Sequence, residues 1–172
     1  WITAAGYPIA DEQCRRRFSG RSLSSVRSEL IETAGVDLGA DLIDRWYTEI
    51  QTLFADGLEV IPHVASFIDA VERAGIAHCV ASSARVEKMH LTLGRTGLLP
   101  HFKDVLFSSS MVERGKPAPD LFLHAARTMG FEPRDCIVIE DSVPGTQAGV
   151  AAGMRVFSYH GDAMTDVEGL RA

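Results

Sequence analysis

Apolar positions along this chain change their rhythm near residue 60. Before it they recur every three or four residues. Leu42, Ile43, Trp46, Ile50, Leu53 and Phe54 share one face of a helix that Asp41 opens and Gly57 ends. Two earlier stretches read the same way: one runs from Asp11 through Arg17, and another from Ser22 to Ala34, closed by Gly35. Beyond residue 62, short apolar runs alternate with helical stretches. A helix over residues 62–74 stops at Gly75, and residues 76–81 read as a buried strand. Ser82, Ser83 and Ala84 then cap a helix reaching Gly94, and residues 104–107 form a second strand followed by a Ser-rich loop. A helix over 119–129 leads to a strand over 136–139, a helix over 144–152 and a strand over 154–159. Strands alternating with helices at this interval are parallel βαβ units. The expected fold class is α/β: a doubly wound, Rossmann-like parallel-sheet core over residues 59–172, preceded by a small α-helical domain over 1–58.

This layout gives meaning to one pair of carboxylates. Glu140 and Asp141 stand where the strand ending at Ile139 gives way to a helix with Pro144 in its first turn. Ligands of open α/β sheets bind at that edge. Adjacent carboxylates there repel unless a proton or cation intervenes, and Mg²⁺, which takes oxygen ligands, suits them. An acidic helix N-terminus serving the macrodipole is the simpler reading of the pair alone. Ser82 also follows a strand, and its hydroxyl, with the N–H groups of Ser83 and Ala84, suits a phosphoryl group. Lys116, flanked by Gly115 and Pro117 with Pro119 beyond, sits on stiff backbone as a fixed cation and is expected to contribute no core packing. Each of the three falls at the end of a strand or the start of a helix. Hydroxyl, ammonium and metal-binding carboxylates are together what phosphoryl transfer needs.

Composition narrows the alternatives. With 172 residues, 46% hydrophobic and 23% charged, the chain is large enough for one core and a small appended module. A net charge of -6 argues against nucleic acid or an anionic membrane as partner, and the basic run Arg15-Arg16-Arg17 is too short to reverse that. Cys14, Cys79 and Cys136 are odd in number and read as buried thiols in a reducing compartment. No signal peptide or spanning apolar run is visible, so the expected location is cytoplasmic and the expected form a monomer. The six histidines show no paired metal spacing, with His78 placed inside a strand. No Gly-x-Ser-x-Gly elbow, Walker A loop or dinucleotide fingerprint appears.

Val80-Ala81-Ser82-Ser83, Gly115-Lys116-Pro117-Ala118-Pro119-Asp120, and Glu140-Asp141-Ser142-Val143-Pro144-Gly145 through Ala151-Ala152-Gly153-Met154 resemble the haloacid dehalogenase-like hydrolase superfamily. The closer similarity is to its phosphatase and β-phosphoglucomutase branch, which carries a helical cap. The resemblance implies a Mg²⁺-dependent phosphatase acting on a small phosphorylated metabolite through an aspartyl-phosphate. It implies that Ser82, with Ser83, binds the phosphoryl group and that Lys116 bridges it to a nucleophilic aspartate. Asp141 would ligate Mg²⁺ with Glu140 beside it, and Ser19, Gly20 and Arg21 would belong to a cap loop meeting the leaving group. The family's Asp-x-Asp-Gly-Thr motif is not among these residues, and its place is expected upstream of Trp1. The first and last strands of the family's core are likewise expected outside this stretch, so the 172 residues alone are expected to be inactive. A β-phosphoglucomutase-like mutase is the alternative, disfavoured because Ser19 and Leu23 stand where that pattern has Lys and Arg. A non-catalytic phosphate-binding protein is the second alternative.

Overall fold

The computed structural model describes residues 1–55, 57–161 and 166–171. Helices α1 (Asp11–Phe18), α2 (Leu23–Ala34) and α3 (Leu42–Leu53) come first. Ser22 caps α2 by accepting the Ser25 N–H at 3.2 Å, and Gly35 closes it at φ 66°, in the left-handed region that glycine enters without Cβ strain. The inner faces form a cluster of their own, in which Val26, Leu30, Leu38 and Leu42 are buried with Tyr7, Phe18 and Val36 against them. Burying a side chain as completely as Leu30 contributes about 1.5–3 kcal/mol. Arg17 and Arg21 converge on Glu29. Their hydrogen bonds, Arg21's foremost, outweigh desolvation and hold the Glu29 carboxyl below its ordinary range.

The remainder alternates helices and strands: α4 (Val64–Arg73), β1 (Val80–Ser82), α5 (Val86–Arg95), α6 (Leu99–Phe102), β2 (Leu106–Ser108), α7 (Asp120–Met129), β3 (Ile137–Glu140), α8 (Val143–Ala151), β4 (Arg155–Ser158) and α9 (Val167–Arg171). Both ladders are parallel, as the α/β reading requires. β1 pairs with β2, Val80 opposite Leu106 and Ser82 opposite Ser108; β3 pairs with β4, Ile137 opposite Arg155 and Glu140 opposite Ser158. Among the described residues β1 and β3 are not joined, so the sheet stands as two halves. No described helix is long and apolar enough to cross a membrane.

The strands are shorter and less buried than their apolar runs suggest. Residues 76–79 belong to no ladder, which removes His78 from a strand and leaves Ile76 57% exposed. In β3, Val138 and Glu140 are buried whereas Ile137 and Ile139 face outward, 58% and 56% exposed. The reason is one-sided cover. Phe122 and Ala126 of α7 and Ala148 of α8 pack with Val138 on one face. There α8 lies so close that a Cβ on Gly149 would meet Val156 Cγ2 at 2.7 Å. An apolar run cannot tell one buried face from two. The three cysteines are free, as expected, but only partly buried. Desolvation raises the Cys79 thiol to about 11.

Candidate functional site

The loops after β1 and β3 open on the same side of the sheet halves. Ser82 ends β1, but it does not cap the next helix. α5 starts only at Val86, with Arg85 in the capping position, and the Arg85 N–H donates to Tyr47 Oη at 3.0 Å. The intervening loop is laced by hydroxyls instead. Ser82 Oγ accepts the Ala84 N–H at 3.1 Å, which leaves its own proton free to donate. Ser83 Oγ donates to the Gly20 carbonyl at 2.7 Å, so this hydroxyl orders the loop between α1 and α2. The Ser-rich loop after β2 completes the lacing: Ser109 Oγ donates to Ser83 O at 2.9 Å and Ser108 Oγ to Ala84 O at 2.8 Å. These two serines were not singled out from sequence, although a Ser run following a strand was the visible signal.

Lys116 is buried rather than exposed. It is 7% exposed, its Nζ donates to Ala81 O at 3.1 Å and to Glu140 Oε1, and it lies 4.8 Å from the centroid of the Phe122 ring. The expectation that it contributes no packing is therefore corrected. A chain placing its ammonium between β1 and β3 must run its stem through the core.

Glu140 is buried at the end of β3, and both of its oxygens are engaged. Oε1 takes Lys116, while Oε2 accepts the Asp141 N–H at 3.0 Å, the Ser142 N–H at 3.0 Å and Ser142 Oγ at 2.8 Å. Burial opposes its charge, but Lys116 and the Ser142 hydrogen bonds prevail and hold the carboxyl below the usual range. Ser142 also caps α8 by accepting the Gly145 N–H at 3.1 Å. Gly145 matters because a Cβ there would overlap the Glu140 carboxylate.

Asp141 behaves oppositely. Desolvation first, and the neighbouring Glu140 charge second, raise its carboxyl above the ordinary range. A carboxylate made costly to ionise in this way is relieved by a cation, so Asp141 fits Mg²⁺ as one protein ligand. Glu140, with both oxygens engaged, acts here as the anchor of Lys116. Among the described residues the one group of three metal-ligating side chains lies elsewhere.

Gly20 closes the arrangement from above. Its φ is 77°, and a Cβ would overlap Ser142 Oγ, so the loop rests on the cap of α8. Ser19, Gly20 and Arg21 on this side and Ser82, Lys116 and Asp141 on the other line one cavity of about 1190 Å³. Arg21 is anchored by Glu29 and by Ser25 Oγ at 3.2 Å.

A parallel α/β core with a hydroxyl, a buried lysine and a carboxylate pair at its strand ends has clear relatives. The family model for haloacid dehalogenase-like hydrolases matches residues 4–153, and the chain belongs to that family. The 6-phosphogluconate phosphatase of Escherichia coli K12 is 33% identical over 158 residues, spanning 91% of this chain and 70% of that protein. The fructose-1-phosphate phosphatase of the same organism is 33% identical over 146 residues, 84% of this chain and 76% of that protein. A haloacid dehalogenase-like protein from Agrobacterium tumefaciens superposes with a TM-score of 0.73 at 30% identity, covering 99% of this chain and 78% of its own. The chain is a hydrolase of the family's phosphatase branch.

Proposed function

We propose that this chain supplies the phosphoryl-binding and leaving-group side of a Mg²⁺-dependent phosphatase that hydrolyses a small phosphorylated sugar or sugar acid. The observation that carries the reading is the seat of Lys116: a buried ammonium held by Glu140 and Ala81 O, beside Ser82 and Asp141 in one cavity. The names of the two Escherichia coli relatives support the substrate class.

In this reading residues 1–58 form a helical cap and residues 59–172 the core. Ser82 donates its hydroxyl proton to a phosphoryl oxygen, because an ionised phosphoryl oxygen only accepts and this proton has no other partner among the described residues. Lys116 faces the same group with a charge that burial keeps unscreened by water, which is what a phosphoryl transition state gains most from. Asp141 would hold Mg²⁺, and the ion, when bound, would neutralise phosphoryl charge. Glu140 keeps the ammonium on its line, and Ser83 keeps the Gly20 loop over the leaving group. The attacking carboxylate is taken to be an aspartate outside these 172 residues, on a strand that the family resemblance places between β1 and β3.

The test is phosphate release by the intact protein from 6-phosphogluconate, fructose 1-phosphate and related esters, with and without Mg²⁺. Hydrolysis of at least one ester that is lost on chelation and in Lys116→Met supports the reading. Full activity in Lys116→Met would overturn it.

A further inference from the structure

Four side chains remote from this cavity are arranged in a way the phosphatase reading does not use. Residues 76–79 precede β1 and residues 104–105 precede β2, so this group lies at the end of the strands opposite Ser82. Asp69 and Glu72 are three residues apart on α4 and therefore share a face. His101 of α6 places Nδ1 2.8 Å from Glu72 Oε1, and one ligand atom each from Asp69, Glu72 and His101 lie within 4.8 Å of one another.

His78 joins them from the other side, with Nε2 3.7 Å from the same Glu72 oxygen. Its Nδ1 stands 3.1 Å from Ile76 O. A carbonyl can only accept, so in the neutral ring Nδ1 carries the proton and Nε2 a free lone pair. That Nε2 is shut off from solvent and has no hydrogen-bond partner among the described residues. A buried polar atom in that condition is uncommon and asks for a ligand. Both imidazoles are also braced on one buried side chain. The Phe102 ring meets His78 edge-on at 5.3 Å and His101 at 6.3 Å. Beside them opens a cavity of about 470 Å³ lined by Glu72, His78 and His101.

We propose that His78, His101, Glu72 and Asp69 bind a divalent transition-metal ion of the zinc class, which fastens α4 to α6 beneath the sheet. Two imidazole nitrogens with two carboxylate oxygens suit Zn²⁺ and disfavour Mg²⁺, which prefers oxygen alone. Donors of a tetrahedral zinc site stand about 3.3 Å apart, given metal–ligand distances near 2.0–2.1 Å. The Glu72 oxygen stands 2.8 Å from His101 Nδ1 and 3.7 Å from His78 Nε2, which bracket that value; Asp69 groups with Glu72 and His101 within 4.8 Å, and His78 would close in through the shared Glu72 oxygen. The Ile76 carbonyl on the far nitrogen of His78 is the orienting partner such ligands characteristically have. The histidines are far apart in sequence, which is why no spacing announced them.

The intact protein, stripped with a chelator, would be titrated with Zn²⁺ by calorimetry and with Co²⁺ by visible absorption. Mg²⁺ in large excess occupies oxygen-only sites. One equivalent is expected, with the intense Co²⁺ band of four-coordinate geometry and its loss on adding Zn²⁺. His78→Ala and His101→Ala should each weaken binding at least tenfold. Asp69→Asn and Glu72→Gln, at exposed positions on α4, keep the test decisive should a histidine variant fail to fold, and should also weaken it. Zn²⁺ affinity unchanged in Glu72→Gln and in a folded histidine variant, or no Co²⁺ band in the parent, would overturn the proposal and leave only a His101–Glu72 hydrogen bond.

Discussion

Replacing Lys116 with methionine keeps most of the unbranched stem and removes the charge. Lys116 and Glu140 are 7% and 9% exposed, so neither can turn to water when the other is lost. The three donors left to Glu140, the N–H groups of Asp141 and Ser142 and the Ser142 hydroxyl, all bond Oε2, and Oε1 is left bare in the core. Breaking one side of a buried ion pair costs about 3–5 kcal/mol, which for a chain of this size lowers the melting temperature by roughly 6–20 °C. The loss should depend on pH with a definite sign. In the parent, Glu140 has a depressed folded-state pKa, so its contribution is present above the unfolded value and lost as pH falls through the folded one. Without Lys116 the largest opposing influence, desolvation, dominates and raises that pKa. The variant's deficit should then shrink as pH falls and Glu140 takes up a proton. Urea denaturation of the intact protein between pH 5 and 8 measures this, with Lys116→Met/Glu140→Gln as the closing member of a double-mutant cycle. The double variant should recover much of the single-variant loss. A deficit below about 1 kcal/mol, or one that does not vary with pH, would refute a buried, coupled pair.

Asp141 has the opposite sign: its raised pKa makes its ionised form unfavourable, so that contribution is lost as pH rises above the unfolded value. Asp141→Asn should therefore melt higher than the parent at neutral pH in chelator and lose the stabilisation by added Mg²⁺, as followed by scanning calorimetry. Gly20→Ala, which adds a Cβ at φ 77° and against Ser142 Oγ, should cost at least about 1–2 kcal/mol. It should also impair phosphate release, whereas an unchanged melt would remove the loop from contact with Ser142. Ser83→Ala deletes the bond to Gly20 O and should cost about 1 kcal/mol. Kinetics on the intact enzyme should show a raised KM, because the hydroxyl orders the loop, and an unchanged KM would refute a role for Ser83 in ordering the loop over the substrate.

What could be read from residues alone followed local rules. Helix α2 lies between a Ser cap and a left-handed Gly, and α8 begins beside a Pro after a Ser, each visible as a pattern of neighbours. The edge on which Ser82, Lys116 and Asp141 meet was legible too, because parallel βαβ units bring their strand ends to one side. Partnership was not legible. Nothing in Gly115-Lys116-Pro117 indicates that the ammonium turns inward to Glu140, nor does Ser82-Ser83 indicate which hydroxyl is engaged by Gly20. Strand length failed for a related reason: an apolar run becomes ladder only where another strand lies beside it. For residues 76–79 no such strand does among the described residues. The convergence of His78 and His101 on Glu72 depends on how α6 packs against α4, a tertiary fact without a sequence period.

The position of Lys116 links the architecture to the chemistry. Its Nζ touches Ala81 O, within β1, and Glu140 Oε1, at the end of β3, and these two strands share no ladder among the described residues. One side chain thus joins the two sheet halves at the edge where Ser82 and Asp141 stand. Its ammonium also lies 4.8 Å from the centroid of the Phe122 ring, whose helix covers Val138 in β3, so movement of one half relative to the other is felt at the ammonium. A lysine held only by solvent would follow its substrate. In the proposed reading this one would set where a phosphoryl group must lie, because three fixed contacts determine the direction of the charge before anything binds. Preorganised charge in a desolvated seat stabilises a transition state more than a mobile charge does, since no reorganisation accompanies the reaction. The stability of the Lys116–Glu140 pair and the proposed catalytic use of Lys116 therefore rest on one physical property. A variant that frees the ammonium while keeping its charge, such as Glu140→Gln, should lose turnover even where it still binds phosphate.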